Sequence, residues 1–235
     1  MPVDGIQGKQ LIKYTKQDSA NQINHLIQLG YITGDNINES KLYVHPFIGE
    51  VAIKKHETHM ASVIKDFTSS FLFCIYKDKH YPDIDEQRIA ISVFEWIVSL
   101  NKIKFCYEVI DLVSLFMKSG QFYYVEEASK YVKNNVTDLG SAEVTYINAL
   151  TSYYQGMADV QLNMNDSAHI HFVEASNILA DLTHYSLIEA ELYFKSLIEA
   201  AASITDIMQS ITALENIHII QYDLPDSTYK ALIGR

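Results

Sequence analysis

Proline and glycine are scarce where the chain would need them to be anything but helical. Between Pro82 and Pro225 there is no proline and there are only three glycines, Gly120, Gly140 and Gly156. A β-rich stretch of that length needs far more turn punctuation, so a stack of helices is what fits. Cysteine is nearly absent too. Cys74 and Cys106 each sit in an apolar helical pattern, which suits small buried hydrophobes and suggests no secreted disulfide framework. No apolar run approaches the roughly 20 residues that span a bilayer. The stretch Met1-Pro2-Val3-Asp4-Gly5 lacks the basic and apolar regions of a signal peptide. The expectation is a cytoplasmic protein that neither crosses nor coats a membrane.

Complete catalytic signatures are missing as well. There is no Gly-x-Ser-x-Gly elbow and no dinucleotide-binding glycine loop. Gly8-Lys9-Gln10 fails as a phosphate loop, because the preceding glycine is misplaced and Gln10 stands where a magnesium-holding Ser or Thr is required. His56-Glu57-Thr58-His59 spaces its histidines at i and i+3, whereas a zinc protease helix needs i and i+4. His169 and His171 are two apart and on a helix point roughly 200° away from each other, so they are no ligand pair. Paired acids such as Glu126 and Glu127 read as solvated helix faces. Neither a catalytic residue, nor a cofactor, nor a metal site is expected, and the chain reads as no enzyme.

Positive charge is in deficit, but unevenly. Residues 1–58 carry six lysines and six acids, so the whole net charge of −11 belongs to residues 59–235. An acidic surface repels phosphate backbones and anionic membranes, which disfavours nucleic acid and points to a neutral or basic protein or peptide as partner.

What is present is apolar periodicity. Hydrophobic residues make up 48% of the chain and charged ones 20%, which is globular and not disordered. Helical hairpins are predicted from His59–Lys77 with Asp85–Leu100, Ile103–Lys118 with Phe122–Asn134, Ala142–Leu162 with Ser167–Leu182, and Leu187–Ala202 with Thr205–Ile220. Glu127-Ala128-Ser129 and Glu174-Ala175-Ser176 occupy similar frames, and Ala128, Ala175 and Ala213 are candidates for helix crossings. The chain therefore reads as an irregular helical repeat, a surface for binding. The first residues differ. Lys9–Tyr14 and Ser19–Leu29 look like short helices, the second closed by Gly30. A hairpin over 31–45 and a helix opened by Pro46 follow.

Two segments carry a family resemblance. Ile23-Asn24-His25-Leu26-Ile27-Gln28-Leu29-Gly30-Tyr31-Ile32 resembles a leucine-rich helix running into a glycine, aromatic, isoleucine strand. Leu42-Tyr43-Val44-His45-Pro46-Phe47-Ile48-Gly49-Glu50-Val51 is similar to a helix start of the pattern His-Pro, two apolar residues, any residue, Glu, Val. Both are features of the winged-helix domain that follows the nucleotide-binding core in signal-transduction NTPases of the STAND (NB-ARC-like) class. The resemblance implies a winged-helix-like domain over 1–57, which in that class serves as an interdomain packing unit, and a tetratricopeptide-like (TPR-like) α-solenoid over 58–235. It implies no ATP hydrolysis here, because no nucleotide-binding core is read in these residues.

The function expected is thus a non-enzymatic protein or peptide interaction module of a bacterial-type signalling or regulatory protein. Tyr107, Tyr146, Tyr153 and Tyr193, on the first helices of their hairpins, are the candidates for lining its ligand groove, since tyrosine offers apolar area and a hydroxyl together. The alternative is a DNA-binding transcriptional regulator with a peptide-sensing array. Lys9, Lys13 and Lys16 would then touch phosphate, although the second helix offers only His25 as a basic group. Homo-oligomerisation is left open.

Overall fold

A computed structural model describes residues 5–15, 20–34, 41–77, 81–100, 105–136, 141–180 and 186–215. The protein is mainly helical with a small three-stranded antiparallel sheet. It divides into two compact units, residues 1–120 and 121–235. The boundary expected at 57/58 falls inside the first.

The first unit begins with β1 (Ile6–Gln7), α1 (Gly8–Thr15), α2 (Ala20–Gln28), β2 (Ile32–Thr33), β3 (Lys41–Val44) and α3 (Pro46–Lys55). Gly30 ends α2 as the sequence predicts. With φ at +72° its N–H reaches Ile27 O at 2.9 Å and the Tyr31 N–H reaches Leu26 O at 3.0 Å, which satisfies the carbonyls that a helix end leaves open. Ser19, at which this helix is expected to begin, lies outside the described residues. Ile32 pairs with Val44 and Thr33 with Tyr43, the expected hairpin. Alternation then sends Ile32, Leu42 and Val44 inward onto Ile23, Leu11, Ile12 and Ile27, a small core of its own. Pro46 opens α3 at its first position, and the His45 ring accepts the Phe47 N–H through Nδ1 at 3.3 Å.

No local pattern in the sequence anticipates β1. Its two residues pair with Lys41 and Leu42 on the free side of β3, giving the order β1-β3-β2. It brings α1 onto α4 (Glu57–Lys77), where Tyr14 is buried edge-on against Phe71 at 5.0 Å and Phe67 at 6.3 Å. The Tyr14 hydroxyl donates to Glu86 Oε1 at 3.0 Å on α5 (Ile84–Leu100). Glu86 and Asp83 exchange reciprocal bonds, Asp83 N–H to Glu86 Oε2 at 3.0 Å and Glu86 N–H to Asp83 Oδ1 at 2.8 Å, so the helix start is capped by a box. Asp85 accepts from Gln7 and Lys41. The sheet and α1 are thus tied across position 57 to the start of α5. The helix α6 (Cys106–Lys118) completes the unit, with Phe116 edge-on to Phe94.

The second unit holds α7 (Phe122–Asn135), α8 (Ser141–Gln161), α9 (Asn165–Ala180), α10 (Leu187–Ala202) and α11 (Ile207–Glu215). Each packs on the next, and α8 also touches α10. The hairpin between α8 and α9 turns within three residues. Asn163, with φ at +59°, takes the left-handed place that glycine often fills. Ala128 and Ala175 are fully buried, while Ala213 is half-exposed. The tightest approach is at a residue not singled out as a crossing point: a Cβ on Gly156 would lie 2.7 Å from Phe172 Cε1.

Candidate functional site

The helical repeat of α8 places Tyr146, Leu150, Tyr153, Tyr154 and Met157 along one stripe at i, i+4, i+7, i+8 and i+11. Tyr146, Leu150 and Tyr153 from α8, Ile178 from α9 and Tyr193 from α10 pack, half-buried, around the buried trio Ala149, Leu179 and Leu192. The stripe widens through Tyr154, whose ring centroid is 6.1 Å from that of Tyr153, and is anchored by Phe172, 5.7 Å from Tyr153. Two carboxylates of α10 border it. Glu189 is held by the Ser186 capping box and Glu191 by Lys195.

Burial pushes the Tyr146 phenol above its ordinary value, and the nearby Tyr154, Glu191 and Glu189 push it further the same way. Its hydroxyl therefore stays protonated at neutral pH. It is no base or nucleophile at neutral pH. What the patch can do chemically is bury an apolar side chain on aromatic faces and hold polar or cationic groups at its rim.

Three of the four tyrosines expected to line a groove thus pack, partly buried, against one apolar cluster of the second unit. The fourth, Tyr107, is exposed on α6 in the first unit. Lys9 and Lys13 are exposed on α1, with Lys13 Nζ 5.7 Å from the Tyr14 ring centroid, and Lys16 lies outside the described residues. His169 and His171 do diverge: His169 Nδ1 bonds Ala200 O at the end of α10, at 2.9 Å, while His171 turns toward α8. Among the described residues no three His, Cys, Asp or Glu side chains are grouped to hold a metal ion, and no helix is long and apolar enough to cross a membrane.

Sequence reasoning missed a polar network in the same unit. Glu174 on α9 accepts from Lys133 Nζ of α7 at 3.1 Å and Ser152 Oγ of α8 at 2.9 Å, with His171 alongside, and Asp159 accepts from Ser167 Oγ at 2.6 Å. Only the i, i+3 spacing of His171 and Glu174 was there to see. Burial pushes the Glu174 carboxyl up, but Lys133, Ser152 and His171 outweigh it and hold it below the ordinary carboxylate range. A lowered carboxyl stabilises the fold above its unfolded value, near 4.3 for glutamate, and that support is lost as the pH falls through the lower folded value. Acid titration of the second unit by circular dichroism should therefore show Glu174→Gln less stable than wild type at neutral pH, with the difference closing below about pH 4. A difference that persists unchanged into acid would remove the carboxylate from the account.

No protein-family model, curated protein or solved structure matches the chain.

Proposed function

We propose that this chain is a non-enzymatic interaction module, cytoplasmic, that holds a neutral or basic protein or peptide on the α8–α10 face of its second unit. The observation that carries this reading is the convergence of Tyr146, Tyr153 and Tyr193, from two different helices, on one apolar trio with Glu189 and Glu191 beside them. These tyrosines pack partly buried on that cluster, and tyrosines at the edge of an apolar patch are typical anchors of a binding surface.

The successive packing of α7 to α11 supports a TPR-like arrangement for that part of the α-solenoid proposed over 58–235, in which first helices such as α8 and α10 line one face. The helix pair, hairpin and Pro46-initiated helix, with β1 closing the sheet, support a winged-helix-like fold for 1–57 and the place of the chain beside STAND signalling proteins. There that domain packs against its neighbours, in keeping with the ties from Tyr14, Gln7 and Lys41 to α5.

The test is a titration of the full chain against peptide pools graded by charge. Basic and neutral peptides should bind, acidic ones should not, and Tyr146→Ala or Tyr193→Ala should weaken binding by about tenfold or more, the loss of one well-placed aromatic anchor. Unchanged affinity in both variants, or small-molecule turnover without any peptide binding, would overturn the reading.

A further inference from the structure

Two exposed stripes meet in the first unit. On α6, Tyr107, Asp111 and Lys118 recur at i, i+4 and i+11, so they share one side of the helix, and all three are exposed. On α4, Phe73 and Tyr76 form an exposed pair at i and i+3. The Tyr76 hydroxyl donates to Asp111 O at 3.2 Å, and Lys118 Nζ lies 4.5 Å from the centre of the Tyr76 ring. Tyr76 therefore lies across the α6 stripe, and the two helices build one surface. Phe73, 57% exposed, has no polar atom to repay its contact with water and gains most from being covered.

The same surface carries negative charge that nothing offsets. Partial burial, and then the charge of Glu108 one turn away, push the Asp111 carboxyl above its ordinary value. Among the described residues neither Glu108 nor Asp111 is in an ion pair, and the Lys118 ammonium sits on the Tyr76 ring instead. Aromatic faces beside bare carboxylates are what a guanidinium fits: its plane stacks on a ring while its N–H fork takes a carboxylate. Lys118 on Tyr76 is an internal instance of the first of these contacts.

We propose that the α4–α6 face of the first unit is a second docking surface, for a protein segment that brings an arginine onto the Tyr107 ring and the Asp111 carboxylate and an apolar residue onto Phe73. Tyr107 and Asp111 are neighbours one helical turn apart, within the span of one guanidinium and its stem. The surface belongs to the first unit and does not depend on what the tyrosines of the second unit bind.

The probe is a short peptide of alanine and serine with one arginine and one leucine, titrated into the full chain with ¹³C-labelled tyrosine and phenylalanine rings and followed by NMR. The Tyr107 and Phe73 signals are identified by their loss in Tyr107→Ala and Phe73→Ala. Both should move along one saturating curve, and added salt should weaken the binding. Glutamine in place of the arginine should weaken it by about three- to thirtyfold, the sum of an exposed cation–π contact and an exposed ion pair. Tyr107→Ala and Asp111→Asn should each cost about two- to fivefold, while Tyr107→Phe, which keeps the ring, should bind as wild type does. An arginine probe that binds no better than its glutamine copy overturns the proposal, and so does an affinity that ignores both Tyr107→Ala and Asp111→Asn. Tyr107 and Phe73 signals that move with protein concentration alone would give the face to a second copy of the chain and overturn it as well. Should Tyr107→Ala not fold, Asp111→Asn makes the same decision. The signals of Tyr146 and Tyr193 report on the second unit in the same titration, so the two readings fail separately.

Discussion

Glu86→Ala should destabilise the first compact unit by about 2–5 kcal/mol, because three costs fall together. The residue is 3% exposed, so its removal leaves a hole. The Asp83 N–H loses the carboxylate that caps it from the third helical position. The Tyr14 hydroxyl, in a residue 1% exposed, loses the acceptor it reaches at 3.0 Å. Burial, and then the Glu86 charge, push the Tyr14 phenol far above its ordinary value, so it stays a donor at any pH at which the protein is handled. Tyr14→Phe keeps the ring on Phe67 and Phe71 and removes only the donor. It should cost about 1.5–3 kcal/mol, the range for hydrogen bonds to charged groups. The single tryptophan, Trp96, lies on α5, so fluorescence during urea unfolding follows this unit. The double-mutant cycle should show a coupling of about 0.5–3 kcal/mol between the two positions. If Glu86→Ala falls within the about 0.5 kcal/mol typical of surface substitutions, residues 6–15 are not held to α5 as described.

Phe172→Ala should destabilise the second unit by about 3–5 kcal/mol, the usual loss for a large buried aromatic. The ring is fully buried, packs beside Tyr153, and lies over the one backbone position of α8 that carries no side chain. Gly156→Ala poses the sharper question. Helix propensity favours alanine over glycine by about 1 kcal/mol in a helix interior. Against that stands a Cβ placed 2.7 Å from Phe172 Cε1 and 2.8 Å from Cδ1, where a closely packed ring has nowhere to go. Overpacking of this kind costs about 1–3 kcal/mol, so the steric term wins and the variant is less stable. Adding Phe172→Leu to Gly156→Ala should return part of the loss. Circular dichroism during unfolding reads both, since every element among the unit's described residues is a helix. A more stable Gly156→Ala would show that α8 and α9 are not in the close approach described.

Much of the chain's local structure is legible in the order of its residues. The stop at Gly30, the pairing of Ile32 with Val44, the start at Pro46 and the span of α10 all lie where spacing, caps and punctuation put them. These signals act over one to four residues, or across one hairpin, where covalent geometry and hydrogen-bond rules leave few options. The tyrosines could be named as groove candidates because each sits on the first helix of its hairpin. That Tyr146, Tyr153 and Tyr193 pack on one apolar cluster, while Tyr107 belongs to the other unit, depends on how α8, α9 and α10 pack.

The remaining features join residues far apart in the chain. A two-residue strand has no period to read, and β1 exists because the free side of β3 offers Ile6 and Gln7 partners about 35 residues away. Tyr14 meets Glu86 across 72 positions, and Lys133 meets Glu174 across 41. Nothing local distinguishes Gly156 from any other helical glycine, and only the ring of Phe172 above it gives the missing side chain a reason. By itself the sequence determined which segments are helical, where several of them end, and that the acidic charge belongs to the second part of the chain. Which faces meet, which carboxylates find a donor and which tyrosines stay half-exposed were decided by tertiary packing, because many arrangements satisfy the same helical periodicity and only close contact chooses among them.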